Sequence, residues 1–443
     1  MKATRSARRL RPSESIEPTS HIRQAGTAKT PQRYNGQGAR GMFPKTALLE
    51  STSQASLAPA ARVTFLAFLL FCFGHFFIDL YSGALGALQP LLVDRYRMSF
   101  TEAGILAGVL SFSSSVLQPA YGYLSDRFHS RLFTALAPAV AGIFISSLGW
   151  APGYPALLGM VFLGGAGIAS FHPQAASRAT EGINKNRGRA MAIFISSGTL
   201  GLALGPSFFS AVAVRLGLPR TAWAALPGIA LSIVLLMFLR PPARGADRPR
   251  FDWAPLRAVR KPMTILFFLV FIRSAVQVTF TQFLPLYLHT QRGNSLANSS
   301  LHLTLYLGFG ALGGFLGGNL ADRFGGRRVI LFSMIGSVPF LALFVSTTGI
   351  VSTISLILGG LILLFTTPVN VLMGQELAPT QTGTVSALMM GFAWGTSGML
   401  FIPLTGWISD LYSMQAAFTG LVLFPLIGFF LALKLPKCAR SVY

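Results

Sequence analysis

The chain has 443 residues, 52% hydrophobic and only 11% charged, with a mean hydropathy of +0.57. A soluble domain carries roughly 25% charged residues, so this chain lacks the ionisable groups to solvate a globule of its size. Its apolar richness excludes general disorder, and its 46 glycines follow no collagen period. The net charge of +23 does not mark a nucleic-acid binder: ten of the 36 Lys and Arg fall in residues 1–60, and the rest lie almost entirely between apolar segments, the pattern of topology control in a membrane.

Residues 1–60 contain no apolar run of signal-peptide length. They are rich in Arg and Ser and poor in acid, with Glu14, Glu17 and Glu50 alone, a composition that overlaps with organelle transit segments. Three readings stay open: a disordered basic cytoplasmic tail over 1–61, a chain whose true initiator is Met42, or a targeting peptide. Beyond this tail, runs of about twenty apolar residues are long enough to cross a bilayer. They predict twelve segments at 63–92, 102–124, 131–150, 155–178, 188–214, 221–239, 263–289, 300–320, 328–347, 350–374, 383–408 and 415–434. The Pro- and Arg-rich stretch 240–262 reads as a cytoplasmic linker between bundles at 62–239 and 263–434, with a short tail at 435–443. The expected fold is all-α and integral to the membrane, with twelve transmembrane helices in two pseudo-symmetric six-helix bundles. With the N-terminus inside, the inner loops and C-terminal tail hold 19 bases and the outer loops five. That bias places both termini in the cytoplasm of a protein of the inner (plasma) membrane. Cys72 lies in the first apolar segment and Cys438 in the last residues. Neither has metal-ligand spacing, so no disulfide, metal site or cofactor is expected.

The halves repeat. Segment two ends in Gly122-Tyr-Leu-Ser-Asp126-Arg127-Phe and segment eight in Gly318-Asn-Leu-Ala-Asp322-Arg323-Phe, 196 residues later. Gly198, Gly201 and Gly205 in segment five answer to Gly395 and Gly398 in segment eleven, and Gly188 to Gly383, at nearly the same offset. Such repeats are the signature of transporter folds. Glycines four apart mark one helix in each three-helix unit: Gly104/Gly108, Gly201/Gly205, Gly310/Gly314/Gly318 and Gly391/Gly395. Small residues at this spacing let helices approach closely in lipid, so segments two, five, eight and eleven are expected to form the seam between the halves.

The Asp126-Arg127 loop and its copy with Gly325, Gly326, Arg327 and Arg328 resemble the loop signature of the major facilitator superfamily. Gly201-x-x-x-Gly205-Pro206 is similar to a motif of its antiporters. The first copy departs from the pattern, with His129 and Ser130 where Gly is usual. A closer resemblance, over about residues 70–434, is to the fosmidomycin resistance protein family. It rests on Gly74-His75 with Asp79, Pro90-Leu91-Leu92, Leu117-Gln118-Pro119 with Gly122-Tyr123, Phe171-His172-Pro173, Leu301-His302-Leu303, and Gln375-Glu376-Leu377 with Pro379. The resemblance implies a proton-driven exporter of a small phosphonate antibiotic. That family usually has Glu after His-Pro. Here the residue is Gln174, and an amide does not titrate.

Charged groups inside a bilayer are functional candidates. Asp79 is the one acid well inside segment one, and His75 shares its helix face one turn earlier. The pair reads as a proton-coupling site or as a structural hydrogen bond orienting the helix. Arg273 in segment seven reads as an anion ligand or as a permanent partner of Asp79 or of helix carbonyls. His172 beside Pro173, Gln118, Gln375 and Trp394 are candidate substrate contacts, each weighed against plain packing. At the inner face, Asp126, Arg127, Arg131, Asp322, Arg323 and Arg327 are read as gating latches or as simple topology charge. Glu376, near Arg178 if the halves superpose, is read as a gate salt bridge.

One buried acid, one fixed base and two histidines suit an anionic or zwitterionic substrate better than a cation. The leading reading is therefore a proton-coupled secondary transporter exporting a small anion by alternating access. The rival is a proton- or anion-coupled importer of an organic acid or sugar. A membrane enzyme is disfavoured, since the chain shows no HExxH, nucleophile elbow or phosphate loop. The partners expected are a small-molecule substrate, protons and the lipid bilayer, with a monomer as the working unit.

Overall fold

The computed structural model describes residues 59–128, 130–181, 183, 186–240 and 254–436, with side chains from residue 65 onward except Asp126. The N-terminal tail to residue 58, residues 241–253 of the linker, Lys185 and the last seven residues lie outside the described residues. Among the described residues every regular element is helical, as lipid demands of a backbone that must satisfy its polar groups internally.

The bundle runs α1 (Phe65–Tyr96), α2 (Phe100–Ser125), α3 (Leu132–Ser146), α4 (Tyr154–Arg178), α5 (Arg187–Leu216), α6 (Leu218–Phe238), α7 (Arg260–Arg292), α8 (Leu296–Phe324), α9 (Gly326–Ser346), α10 (Gly349–Leu377), α11 (Pro379–Leu411) and α12 (Met414–Ala432). Each predicted segment has its helix. Eleven are long and apolar enough to span a membrane, and α3 is the short exception. Leu136 breaks α3 just before Pro138, and a 3₁₀ turn at Leu148–Trp150 follows it.

Helix ends show why the chain turns where it does. Three helices start at the sparsely charged end on a serine cap: Ser99 for α2, Ser295 for α8 and Ser413 for α12. Ser99 forms a reciprocal capping box with Glu102, which satisfies two orphan donors. Between α8 and α9, Gly325 adopts φ +87°, a conformation open to glycine at little cost.

The halves meet through α2 with α11, α5 with α8, and α1 with α7. The first two pairs are the four helices predicted for the seam, but the glycines act differently in them. Gly104 and Gly108 of α2 lie against Ile402 and Pro403 of α11, and Gly395 and Gly398 of α11 lie against Ser115, Val116 and Ser111 of α2. In contrast, Gly201 and Gly205 of α5 pack on the Phe76 and Leu80 carbonyls of α1, within one half. Gly310 of α8 faces Leu364 of α10, and Gly314 and Gly318 look toward the same helix at Leu364 and Pro368. A close approach is what these glycines permit, and for α5 and α8 the approaching helix belongs to their own bundle. Their contact across the seam includes the Ser207–Thr304 hydroxyl pair at 2.7 Å. Facing π-turns, Phe112–Val116 in α2 and Ala387–Phe392 in α11, interrupt both helices of the glycine-lined pair, and such turns often sit at functional sites.

At the sparsely charged end the halves are clasped. Asp410, the penultimate residue of α11, accepts from the backbone N–H of Phe100 at 3.0 Å and of Thr101 at 2.7 Å, and from the Thr101 hydroxyl at 2.6 Å. A carboxylate on the N-terminus of α2 also meets the positive end of that helix dipole. Nearby, Gly86 of α1 lies against the Thr281 carbonyl of α7, and Gly406 lies against Phe100.

Candidate functional site

Asp79 is the centre of a three-residue cluster. Its two oxygens face two imidazoles: Oδ2 lies 3.4 Å from His75 Nε2, and Oδ1 lies 3.3 Å from His172 Nε2. His75 and Asp79 share one face of α1, as the i, i+4 spacing predicts. His172 comes from α4, which places it with the acid rather than on its own as a substrate donor. Both Nδ1 atoms meet backbone carbonyls, His75 at Phe194 O (2.8 Å) and His172 at Ile168 O (2.9 Å). A carbonyl only accepts, so both Nδ1 atoms carry hydrogen and both Nε2 atoms point their remaining valence at Asp79. The Phe194 ring stacks on His75 with centroids 4.4 Å apart. The carbonyl released by Pro173 is that of Ala169, one residue beyond the one His172 uses.

Gly198 of α5 explains how the cluster fits. A Cβ there would lie 2.6 Å from Asp79 Oδ2 and closer still to His75 Nε2. The three side chains keep some accessible surface, 11% for His75, 18% for Asp79 and 26% for His172. Each offers one metal-ligand atom, and these atoms all lie within 4.8 Å of one another. The cysteine spacing that argued against a metal site carried no information about this grouping.

In the other half, Arg273 of α7 is buried, with 3% exposure. Asp79 is not its partner. It donates through Nη1 to Gln277, one turn along, and its guanidinium carbon lies 5.7 Å from the Trp394 ring centroid, within cation–π range. Arg273 Nε, the Tyr306 hydroxyl and both amide atoms of Asn370 are buried with no hydrogen-bond partner among the described residues. Tyr306 is near enough to Arg273 to interact with it electrostatically. No acid is paired with this guanidinium among the described residues.

The remaining candidates separate by position. Gln118 donates to the Ser114 carbonyl at 2.9 Å and faces Gly391 across the α2–α11 contact. Gln375 is committed to Ser386 Oγ at 2.8 Å. The expected Arg178–Glu376 bridge does not form: Arg178 pairs with Glu181 at 3.5 Å and donates to the Arg240 carbonyl at 2.7 Å. Glu376 is exposed, beside a depression lined by Pro262, Leu266 and Met373. The local acid and the carbonyl at the start of the linker lie within reach of Arg178, whereas Glu376 belongs to the other half. The loop bases likewise stay within their own halves. Arg127 donates to the Tyr123 hydroxyl, Arg131 to the Leu239 carbonyl and Arg327 to the Leu433 carbonyl. Asp322 and Arg323 are exposed, and the Asp126 side chain lies outside the described residues. No latch spans the two halves at this end among the described residues, while Asp410 does so at the other.

A membrane bundle of twelve helices built from two repeated halves is a layout that transporters use. The family model for the Major Facilitator Superfamily matches residues 71–401 and again 292–440. The chain belongs to the major facilitator superfamily. It is a multi-pass membrane transporter. It is 30% identical to the uncharacterized MFS-type transporter YfnC of Bacillus subtilis (strain 168), over 82% of this chain and 91% of that one. It is 27% identical to the fosmidomycin resistance protein of Escherichia coli (strain K12), over 84% and 94%. Among solved structures, a bacterial homolog of the human lysosomal transporter Spinster, in an inward-facing and unoccupied conformation, superposes with a TM-score of 0.72 at 15% identity, covering 84% of this chain and 96% of that one.

Within the superfamily frame, Gln174 has a structural task. Its amide donates to Ser125 and to the Ser130 carbonyl (3.1 Å) and accepts from Thr134, tying α4 to the loop and helices before it. Sequence reasoning missed Phe194, Gly198, Tyr306, Asn370 and Asp410. Gly198 stands out in the sequence only as a marker of the internal repeat. The others look like ordinary residues of membrane helices until the helices are assembled.

Proposed function

We propose that this transporter exports a small anionic or zwitterionic compound, with a fosmidomycin-like phosphonate as the best candidate, in exchange for protons. The observation that carries the reading is Arg273: a buried guanidinium whose Nε has no partner and which pairs with no acid among the described residues. An unpaired buried charge costs on the order of several kcal/mol, and an oxyanion that arrives to pair with it recovers that cost on binding. Trp394, Tyr306 and Gln277 border the same group and fit a planar, bidentate anion contact.

The Asp79 cluster is the coupling site in this reading. With hydrogen on both Nδ1 atoms, each Nε2···Oδ contact is attractive only when a proton lies between the two atoms. Three side chains thereby share protons at a place that one conformation wets and the other seals. Protonation from outside and anion binding at Arg273 alternate as the halves rock about the α2–α11 and α5–α8 contacts. In this reading the Asp410 clasp closes the outer end, no described inner-loop charge bridges the halves, and both termini face the cytoplasm of the inner membrane. That orientation rests on the charge bias of the loops.

The test is fosmidomycin tolerance, and fosmidomycin efflux against uptake, in an efflux-deficient susceptible bacterium. The cells would express wild type, Asp79→Asn or Arg273→Ala at matched membrane levels. Protection and efflux by wild type alone are expected. A wild type that accumulates the compound makes the protein an importer, and no movement in either direction removes the phosphonate from consideration.

A further inference from the structure

We propose that His75, Asp79 and His172 bind a divalent transition-metal ion of the zinc class, through both Nε2 atoms and an Asp79 oxygen, and that the bound ion inhibits transport. The inhibition clause rests on the cluster being the coupling site; the binding clause stands on geometry alone.

The ligand set is two imidazoles and a carboxylate, which zinc accepts readily, whereas magnesium and calcium favour all-oxygen sites. The spacing agrees. For bonds of about 2.0–2.1 Å, adjacent ligands of a tetrahedral ion lie about 3.3–3.4 Å apart; each imidazole Nε2 already stands at that distance from a different oxygen of Asp79, His75 from Oδ2 at 3.4 Å and His172 from Oδ1 at 3.3 Å. One ligand atom from each of the three residues falls within 4.8 Å of the others, so rotation of the Asp79 carboxylate and the His172 ring brings one oxygen and both imidazoles onto a single ion. The outer shell is also that of a metal centre. Metal-bound histidines almost always donate their other N–H to a carbonyl or carboxylate, and here both do, to Phe194 and Ile168.

Space and access complete the case. Gly198 leaves room beside His75 Nε2 and Asp79 Oδ2 that any larger residue would fill. The three side chains retain some accessible surface, which leaves space for a small ion beside them. Three protein ligands leave a fourth position for water or an anion, as in open zinc sites. An ion there bridges α1 and α4 and occupies the face of Asp79 that the transport cycle uses.

The experiment uses the full-length protein, purified without a histidine tag, in lipid nanodiscs at neutral pH. Zn²⁺ binding is measured by calorimetry and Co²⁺ binding by its visible ligand-field bands, which are intense for tetrahedral coordination. One Zn²⁺ per chain and a tetrahedral Co²⁺ spectrum are expected in wild type. Both are weakened at least about tenfold in His172→Ala and Asp79→Asn and unchanged in His302→Ala. Gly198→Ala keeps every ligand and is expected to lose the site by steric filling, which keeps the test decisive if a ligand variant does not fold. Absence of stoichiometric binding in wild type, or equal binding in the cluster variants, overturns the proposal. Transport is measured in parallel in the presence of chelator and with added Zn²⁺. If wild type binds no metal yet Asp79→Asn loses proton-driven transport, the metal site fails and the coupling site survives. If metal binds at the cluster but Asp79→Asn transports normally under chelator, the coupling reading fails and the metal site stands. Wild-type transport unaffected by saturating Zn²⁺ removes the inhibition clause.

Discussion

Replacing Asp410 with alanine removes three hydrogen bonds that hold the first turn of α2 to the last turn of α11: two from backbone N–H groups and one from the Thr101 hydroxyl. Loss of a side chain that satisfies helix N-terminal donors costs about 0.5–2 kcal/mol. Three bonds to one carboxylate favour the upper part of that range and water competition at this exposed end keeps the cost within it, so about 1–2 kcal/mol is a fair magnitude. The clasp cannot survive opening of this end, because Gly104 on Pro403 and Gly406 on Phe100 must separate with it. The lost free energy therefore acts on the balance between conformations, and 1–2 kcal/mol corresponds to a shift of about 5- to 30-fold. Double electron–electron resonance between labels at Asp94→Cys and Tyr412→Cys, in a chain with Cys72→Ser and Cys438→Ser, reads that balance directly. Asp410→Ala is expected to raise the long-distance population by that factor, and Asp410→Asn, which keeps an acceptor, by less. An unchanged distance distribution in Asp410→Ala would refute the clasp.

Three further substitutions follow from the same geometry. Gly86→Ala would drive its methyl into the Thr281 carbonyl and is expected to destabilise the protein by about 1–3 kcal/mol, read as a lower melting temperature in nanodiscs; an unchanged melt contradicts the close α1–α7 contact. Arg292→Ala removes donors to Ser352, the Tyr287 hydroxyl and the Phe344 and Val345 carbonyls, with an expected loss of about 2–4 kcal/mol in the same melt; a cost below 1 kcal/mol would show that these bonds are not maintained. Gln174→Glu turns a carboxylate toward the Ser130 carbonyl that the amide now donates to. The expected cost is about 1–3 kcal/mol, and wild-type stability would show the amide is not structural.

What the sequence makes legible follows from which forces are local. The twelve crossings are visible because lipid solvation acts on each twenty-residue window by itself. α3 is the exception, since Leu132–Ser146 is short and its apolar run continues through a 3₁₀ turn that hydropathy does not distinguish from helix. The His75–Asp79 pair is legible because one turn of helix determines it. That His172 joins them is not, because the register of α4 against α1 depends on side chains distributed along both helices. The glycine pairs show the difference plainly. Gly104/Gly108 and Gly201/Gly205 have the same spacing, yet one pair faces across the seam and the other faces α1, and spacing alone says only that some backbone comes close. Arg292 is one of the five outer-loop bases in the sequence, and only the assembled bundle gives it four hydrogen-bond acceptors. Arg178 and Glu376 were matched by the repeat offset, a symmetry that says nothing about which conformation brings the two ends together.

The central claim is that Asp79 passes protons against an anion held at Arg273. Proteoliposomes loaded with a pH-sensitive dye test it when fosmidomycin is added on one side with no initial pH difference. The account predicts a substrate-driven proton flux in the opposite direction for wild type, and none for Asp79→Asn or Arg273→Ala at equal incorporation. Fosmidomycin movement without a proton flux, or an undiminished flux in Asp79→Asn, would contradict it.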